Sequence, residues 1–213
     1  MSSKALVAEF IGTFALIFIG AGVGALGAGG LMGVAFAHGL VVLAFCYAYG
    51  HLSGNHINPA VTIGLLAAGE ISVAKAAAYI ATQLIGGILG AFTLSFCLGS
   101  QAGTLGATNL AAGVTPLQGF VIEAILTFFL VNTIMNAAVS GKGGPSPGIA
   151  IGLTLVFAIL MGGPLTGASL NPARTLGPAI VTGNFADIWV YFVGPPVGAI
   201  VAGLLYKTVL SKP

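Results

Sequence analysis

The chain has 213 residues, of which 57% are hydrophobic and only 5% are charged, and its formal net charge is +2. A soluble domain carries roughly a quarter charged residues, so this composition excludes a soluble protein and predicts a protein embedded in a lipid bilayer. The small positive charge gives no indication of nucleic-acid binding, and we expect no nucleic-acid partner.

Two apolar runs open the chain, over residues 5 to 26 and 31 to 50. Each approaches or exceeds the roughly 17 residues that cross hydrocarbon as a helix, so they predict the first two membrane spans. The first run is not a signal peptide, because Glu9 lies early in it and the run continues well past a short apolar core.

A polar phrase over residues 53 to 62 follows, reading Ser-Gly-Asn-His-Ile-Asn-Pro-Ala-Val-Thr. Asn58 is predicted to cap a helix, with Pro59 at the first helical position, where a missing N–H costs nothing. The segment from Pro59 to Ala68 would extend about 15 Å, half the hydrocarbon thickness, so it predicts a re-entrant half-helix.

The remaining spans surround a second copy of this phrase. Four runs predict spans three to six, over residues 74 to 98, 116 to 139, 147 to 163 and 188 to 209. The copy, over residues 166 to 175, reads Thr-Gly-Ala-Ser-Leu-Asn-Pro-Ala-Arg-Thr. Asn171 and Pro172 repeat the helix start, and residues 172 to 181 predict a second half-helix that stops before Gly183.

The two halves of the chain repeat one another. Glu9 and Glu123 open the matching segments Glu-Phe-Ile-Gly-Thr-Phe and Glu-Ala-Ile-Leu-Thr-Phe, 114 residues apart (123 minus 9). The offset between Asn58 and Asn171 is 113 (171 minus 58). Because each half holds three spans, the second half enters from the opposite face and the repeat is inverted. The predicted fold is an all-α membrane protein with six transmembrane helices and two re-entrant half-helices.

We expect one transmembrane channel domain over residues 1–213, with repeat halves at about 1–105 and 106–213. A cytoplasmic N-terminus places five lysines on the cytoplasmic side and leaves Asp187 as the one charge of the outer loops outside the polar phrases. These lysines are Lys4, Lys75, Lys142, Lys207 and Lys212. We expect a multi-pass protein with both termini cytoplasmic and, from its compactness, a prokaryotic plasma (inner) membrane.

The starts of the half-helices are predicted to meet near the bilayer midplane beside a wet path, since irregular backbone is tolerated there only in protein or at a water-filled cavity. Asn58 and Asn171 would cap their own helices through the side-chain oxygen and keep both amide donors for a passing solute. Loop carbonyls of residues 54–57 and 167–170 would supply acceptors. Two helix N-termini, each worth roughly half a positive charge, would exclude cations and protons.

Five further polar residues lie in or near the spans. Arg174 is the only arginine, and its cost in a membrane indicates a functional site where loop carbonyls hold it and it donates to a solute. Glu9 and Glu123 are interpreted as structural carboxylates that accept hydrogen bonds from their own re-entrant loop, the alternative being proton carriers. His56 is predicted to line the cytoplasmic vestibule, and His51 to lie in a loop.

Cys46 and Cys97 both fall in predicted spans, where buried thiols acting as small hydrophobic groups are expected rather than a disulfide or a metal site. We expect no cofactor, no metal and no enzymatic activity.

Together these motifs resemble the aquaporin, or major intrinsic protein, family over essentially the whole chain. The resemblance rests on two Asn-Pro-Ala boxes, on an arginine after the second box and on Glu-x-x-x-Thr-Phe at the start of both halves. The boxes are Asn58-Pro59-Ala60 and Asn171-Pro172-Ala173. The resemblance implies a right-handed, aquaporin-like six-helix bundle that forms a homotetramer with one pore per subunit.

The resemblance also implies a selectivity filter of four residues, namely His38, Ile159, Ala168 and Arg174. The resemblance implies that strict water channels have Phe at the position of His38 and His at the position of Ile159. The combination here is similar to plant tonoplast intrinsic proteins, which pass water and, in several members, ammonia or urea. Some water channels have a cysteine at the position of Ala168, and mercury blocks them there. We therefore expect no block by mercury at this position.

The predicted function is a passive channel for water, with ammonia or other small neutral solutes, that excludes protons and ions. A glycerol or urea facilitator is an alternative. Members of that branch are similar to one another in having Asp and a basic residue at two positions where this chain has Thr175 and Ala179. Tyr191 and Phe192 match the water branch. A proton-coupled secondary transporter would need more titratable groups deep in the spans. A structural junction protein would leave Arg174 without a purpose.

Overall fold

The structure, a computed structural model, describes residues 2–211, so Lys212 of the predicted cytoplasmic lysines lies outside the described residues. Within this range all regular secondary structure is helical, in eight segments. They are α1 (Ser3–Ala25), α2 (Gly30–Ser53), α3 (Pro59–Ala68), α4 (Val73–Gln101), α5 (Pro116–Val139), α6 (Pro147–Thr166), α7 (Pro172–Thr182) and α8 (Ile188–Leu210).

Six of these helices are long and apolar enough to cross a membrane, which confirms the predicted fold class. Three spans end three residues later than predicted, and one of them is α4, which continues from residue 98 to Gln101. Helix α6 continues past Pro164 to Thr166, because a proline near the end of a helix removes only one backbone hydrogen bond. Helix α2 continues to Ser53, so the prediction of a loop at His51 is wrong and this residue lies exposed in the last turn.

The two half-helices begin at the predicted residues, and the first ends as predicted, whereas the second ends at Thr182, one residue later than predicted. Asn58 Oδ1 accepts hydrogen bonds from the backbone N–H groups of Ala60 (2.8 Å) and Val61 (3.4 Å), and Pro59 holds the first helical position. Asn171 caps α7 in the same way, and the residues after the two helices, Gly69 and Gly183, are left-handed. Each half-helix therefore starts with a satisfied cap and ends at a glycine.

The packing of the helices repeats the inverted symmetry of the sequence. Helix α1 packs on α4 and α5 packs on α8, while the half-helix α3 packs on α8 and α7 packs on α4. Exchange of the two halves converts each of these pairs into the other. Both half-helices approach their partner closely at a glycine: a Cβ on Gly64 would lie 3.0 Å from Ala199 O, and one on Gly177 would lie 2.5 Å from Gly87 O.

Large apolar side chains point outward as well as inward. Stripes of them at every fourth position run along single helices, as at Ile149, Leu153, Phe157 and Met161 of α6, which are about half exposed. Such stripes face lipid in a bilayer, where burial against the protein is not required. The buried polar residues are instead concentrated at the two re-entrant loops between these helices.

Candidate pore

The first re-entrant loop, between α2 and α3, is held by the buried carboxyl group of Glu9. Its Oε1 accepts hydrogen bonds from Ser53 Oγ (2.7 Å) and His56 N (2.8 Å), and its Oε2 accepts from Ile57 N (2.6 Å) and Gln83 Nε2 (2.8 Å). All four partners are donors. Glu9 therefore satisfies two backbone N–H groups that have no partner in a regular element.

Glu123 holds the second loop, between α6 and α7, in the same way. Its carboxyl group accepts from Thr166 Oγ1 (2.7 Å), Ser169 N (2.9 Å) and Leu170 N (2.8 Å). A tyrosine from a neighbouring helix completes each loop, since Tyr191 donates to Thr166 O (2.7 Å) and its counterpart donates likewise in the first half. The two loops thus have equivalent frames.

Each loop contains two non-glycine residues in the left-handed region. They are Asn55 and Ile57, with φ of 52° and 42°, and Ala168 and Leu170, with φ of 45° and 53°. Such conformations are uncommon outside glycine and persist where the surroundings over-determine them. Here the hydrogen bonds to Glu9 and Glu123 supply that constraint.

The two half-helices meet through their capping asparagines. Asn58 Nδ2 donates to Leu170 O (2.8 Å), and Asn171 Nδ2 donates to Ile57 O (3.0 Å). The expectation that both amide hydrogens stay free is therefore wrong, because each asparagine uses one of them to pair a carbonyl of the opposite loop. One N–H of each amide remains without a partner among residues 2–211.

A cavity of about 540 Å³ runs past this meeting point. On one face of the bundle it opens near His51 and Pro145, and it extends past Asn58 and Asn171 to Arg174. Most of its wall is apolar, including Val42, Leu130, Ile134, Ile151 and Leu155. The cavity therefore offers a mostly apolar path that passes a small number of polar groups.

The predicted filter residues do not all line this cavity. His38 and Arg174 do, whereas Ile159 and Ala168 are buried, each 2% exposed, outside its lining. Arg174 Nε and Nη1 are buried and have no hydrogen-bond partner among the described residues. The expectation that loop carbonyls hold this side chain is therefore wrong, and these donors remain unpaired within the described part of the chain.

His56 lies in the lining of the cavity and is 6% exposed. Its Nδ1 lies 3.1 Å from Thr62 Oγ1, and its ring contacts the ring of Tyr79 edge-on. Contacts with α3 and α4 thus fix this histidine in the loop that leads to Asn58.

A sequence model of the major intrinsic protein family matches residues 1–206. The chain belongs to this family. Aquaporin TIP4-4 of Zea mays is 44% identical over 95% of this chain and 85% of its own length. Probable aquaporin TIP2-2 of Oryza sativa subsp. japonica is 41% identical over 98% and 88%, and Nodulin-26 of Glycine max is 40% identical over 96% and 77%. An aquaglyceroporin structure from Plasmodium falciparum superimposes with a TM-score of 0.89 at 27% identity, covering 97% of this chain and 96% of its own.

Membership of the major intrinsic protein family confirms that the protein is a passive water channel and not an enzyme. The proton-coupled transporter is not favoured. The expectation of a prokaryotic plasma membrane is wrong: the relatives come from maize, rice and soybean, which points to a plant membrane. That expectation rested on the compactness of the chain, and loop length does not record the host membrane.

Sequence reasoning missed two polar contributions to this aquaporin site. Gln83 bridges Glu9 and Thr62. The equivalent tyrosines of the two loops, at positions 79 and 191, are 112 residues apart (191 minus 79), and at this offset the counterpart of Gln83 is Pro195. The second half has hydrogen-bonded hydroxyl groups instead of a glutamine: Thr175 Oγ1 lies 2.6 Å from Ser169 Oγ and 2.8 Å from Thr108 Oγ1. A glutamine inside a span was the available signal for the first of these.

The two cysteines of the aquaporin chain differ from one another. Cys46 is half-buried, packs against the hydrophobic core and lines the cavity. Cys97 is exposed on the outer surface of α4, so the expectation of a buried thiol is wrong for this residue. Within residues 2–211, no three metal-ligating side chains form a cluster.

Proposed function

We propose that water and ammonia share one path through the cavity, past His56 and between Asn58 and Asn171, to a filter formed by His38, Ile159, Ala168 and Arg174. The observation that carries this proposal is the pair of unpaired, buried donors on Arg174 at the end of a mostly apolar cavity. An unpaired buried donor is costly, and a passing oxygen or nitrogen lone pair relieves that cost.

The midpoint of the path supports exclusion of cations and protons. Both half-helices direct their N-termini at this point, and each capping asparagine presents an N–H there. These are positive or donating groups, so a water molecule between them accepts hydrogen bonds from both sides. A cation at the same place meets the positive ends of two helix dipoles, which oppose its passage.

The buried carboxylates act as scaffold in this proposal. Every hydrogen bond of Glu9 and Glu123 comes from a donor in a loop or neighbouring helix, and neither residue lines the cavity. A carboxylate occupied in this way holds a loop and does not shuttle protons along the path. Pro59 and Ala60, and Pro172 and Ala173, form the first turns that the asparagines cap.

At the scale of the molecule we propose a single transmembrane domain over residues 1–213, with repeat halves at about 1–105 and 106–213. Both termini lie in the cytoplasm, and the protein assembles as a homotetramer with one pore per subunit. The lysine distribution supports the orientation, and the family resemblance supports the tetramer.

Stopped-flow light scattering on proteoliposomes tests the solute range, with gradients of water, ammonia, urea and glycerol and a pH dye inside the vesicles. We expect fast water and ammonia flux without proton flux coupled to either. Ammonia flux equal to that of protein-free vesicles would contradict the shared path. Rapid glycerol flux would place the protein with the facilitators, and coupled proton flux would refute the channel mechanism.

A further inference from the structure

A glycine of α1 lies directly behind the imidazole of His38. A Cβ atom on Gly20 would lie 2.5 Å from His38 Nε2 and 2.6 Å from its Cδ2 and Cε1. Optimal contact between carbon atoms requires about 3.5 Å, so the ring occupies the space that any side chain at position 20 would need. Gly20 is buried and lies outside the cavity lining, which includes His38.

The imidazole is held from a second side by its own helix. His38 Nδ1 lies 2.9 Å from Val34 O and carries the hydrogen of this bond, because a carbonyl oxygen only accepts. Nε2, at the tip of the ring, is buried against Gly20 and has no partner among the described residues. The ring is therefore set into the wall of the pore.

The internal repeat provides a comparison for this pair. With the offset of 114, Gly20 corresponds to Ile134 (20 plus 114), and with the offset of 113, His38 corresponds to Ile151 (38 plus 113). Both isoleucines line the cavity. In the second half two side chains of moderate size share the wall, whereas in the first half a large ring faces a residue with no side chain.

Gly20 also lies in an irregular part of α1. Residues Leu16–Ala21 form a π-helical stretch inside the span, and such stretches are rare and frequent at functional sites. The counterpart of this stretch in α5, residues 130 to 135, is α-helical for all but its last residue. Helix α5 has a π-helical stretch of its own, Met135–Val139, but this stretch begins after the counterpart of Gly20, Ile134.

We propose that Gly20 is a specificity-determining residue of the channel. Because this residue has no side chain, the imidazole of His38 fills the space beside it. The residue thereby sets how far the ring projects into the pore and which solutes pass. This inference rests on the proposed function, in which His38 belongs to the selectivity filter.

The direct test is Gly20→Ala, measured by stopped-flow water and ammonia flux in proteoliposomes with equal protein content. The added methyl group drives the ring towards the cavity, so we expect both permeabilities to fall about fivefold or more, with a changed ammonia-to-water ratio. Gly24→Ala is the matched control on the same helix, since a Cβ there meets nothing nearer than 3.5 Å. Permeabilities of Gly20→Ala equal to those of this control would overturn the proposal.

A double-mutant cycle with His38→Ala separates the steric effect from general damage. In the His38→Ala background we expect Gly20→Ala to change permeability less than about twofold, because the ring that it displaces is absent. An equal loss in both backgrounds would overturn the proposal. If Gly20→Ala is not recovered from membranes, recovery of the double variant supports the clash with the ring, and loss of both variants contradicts it.

The cycle also distinguishes failure of this inference from failure of the proposed filter. An unchanged ammonia-to-water ratio in His38→Ala alone would refute the filter role of His38. Coupling between positions 20 and 38 in water permeability would still decide whether Gly20 controls the position of the ring.

Discussion

At the scale of single residues, Arg174 and His38 reach the end of the pore in different states. Arg174 has two buried nitrogens without a partner in the part of the chain that the structure describes, whereas His38 has one nitrogen bonded to Val34 O and the other against Gly20. Arg174 therefore has donors to offer a solute, and His38 acts mainly through the volume of its ring. We therefore expect Arg174 to supply charge and hydrogen bonding at the proposed filter, and His38 to set its width.

Replacement of Arg174 by valine tests this division. Because Arg174 Nε and Nη1 bond to nothing in the described chain, Arg174→Val removes an unpaired buried cation and leaves the loop bonds intact. We expect urea and glycerol flux to rise about tenfold, equivalent to a barrier lower by about 1.4 kcal/mol, with normal amounts of protein in the membrane. The measurement is stopped-flow light scattering.

Lys142→Ala, which removes an exposed cation between α5 and α6, is the control for a general effect of charge. Solute selectivity that stays the same in Arg174→Val would refute the gatekeeping role of this residue.

At the scale of elements, the re-entrant loops combine an irregular backbone with hydrogen bonds to a buried carboxyl group. Each loop has two non-glycine residues at positive φ and a buried glutamate that accepts its backbone N–H groups. A half-helix is short and cannot rely on its own hydrogen bonds to hold its position. The glutamate and the close glycine contacts of Gly64 and Gly177 hold it instead.

Glu123→Gln is expected to loosen the second loop. The amide offers one acceptor oxygen and one NH₂ group, so Ser169 N or Leu170 N must face a donor. We expect a loss of about 1–3 kcal/mol in the free energy of unfolding, seen as a lower midpoint of thermal unfolding in detergent.

Glu70→Gln, at an exposed glutamate after α3, makes the same chemical change without these bonds and should leave the midpoint unaltered. Equal midpoints for the two variants would show that Glu123 does not hold the loop.

The extent to which sequence anticipated these elements follows from how local each signal is. The caps of Asn58 and Asn171 and the glycine stops depend on neighbours within four residues, and they are confirmed. The hydrogen bonds from the side-chain amide of Asn58 to Leu170 O and from that of Asn171 to Ile57 O join residues 112 and 114 positions apart. No local sequence pattern predicts them. The space behind His38 depends likewise on the packing of α1 against α2.

At the scale of the whole molecule, the inverted repeat makes the fold nearly the same when it is turned over. The paired packing of α1 on α4 and α5 on α8, and of α3 on α8 and α7 on α4, looks alike from either side of the membrane. Fold symmetry alone therefore carries no information on orientation. Charge breaks the symmetry, because Lys142 lies in the connection beside the cavity mouth near Pro145, while the connection after α7 carries Asp187.

Orientation is tested by single cysteines in a Cys46→Ser, Cys97→Ser background. Lys142→Cys and Ala186→Cys place thiols in exposed connections on opposite faces of the bundle. A membrane-impermeant maleimide added outside intact cells should label Ala186→Cys alone, and Lys142→Cys only after permeabilisation, because the lysine-bearing face stays in the cytoplasm. The reverse pattern would overturn the orientation and would turn the cavity mouth near Pro145 outward. Labelling of both thiols from outside would mean that the chain inserts in two directions, as a molecule with inverted symmetry does when its charge bias is too weak to choose one.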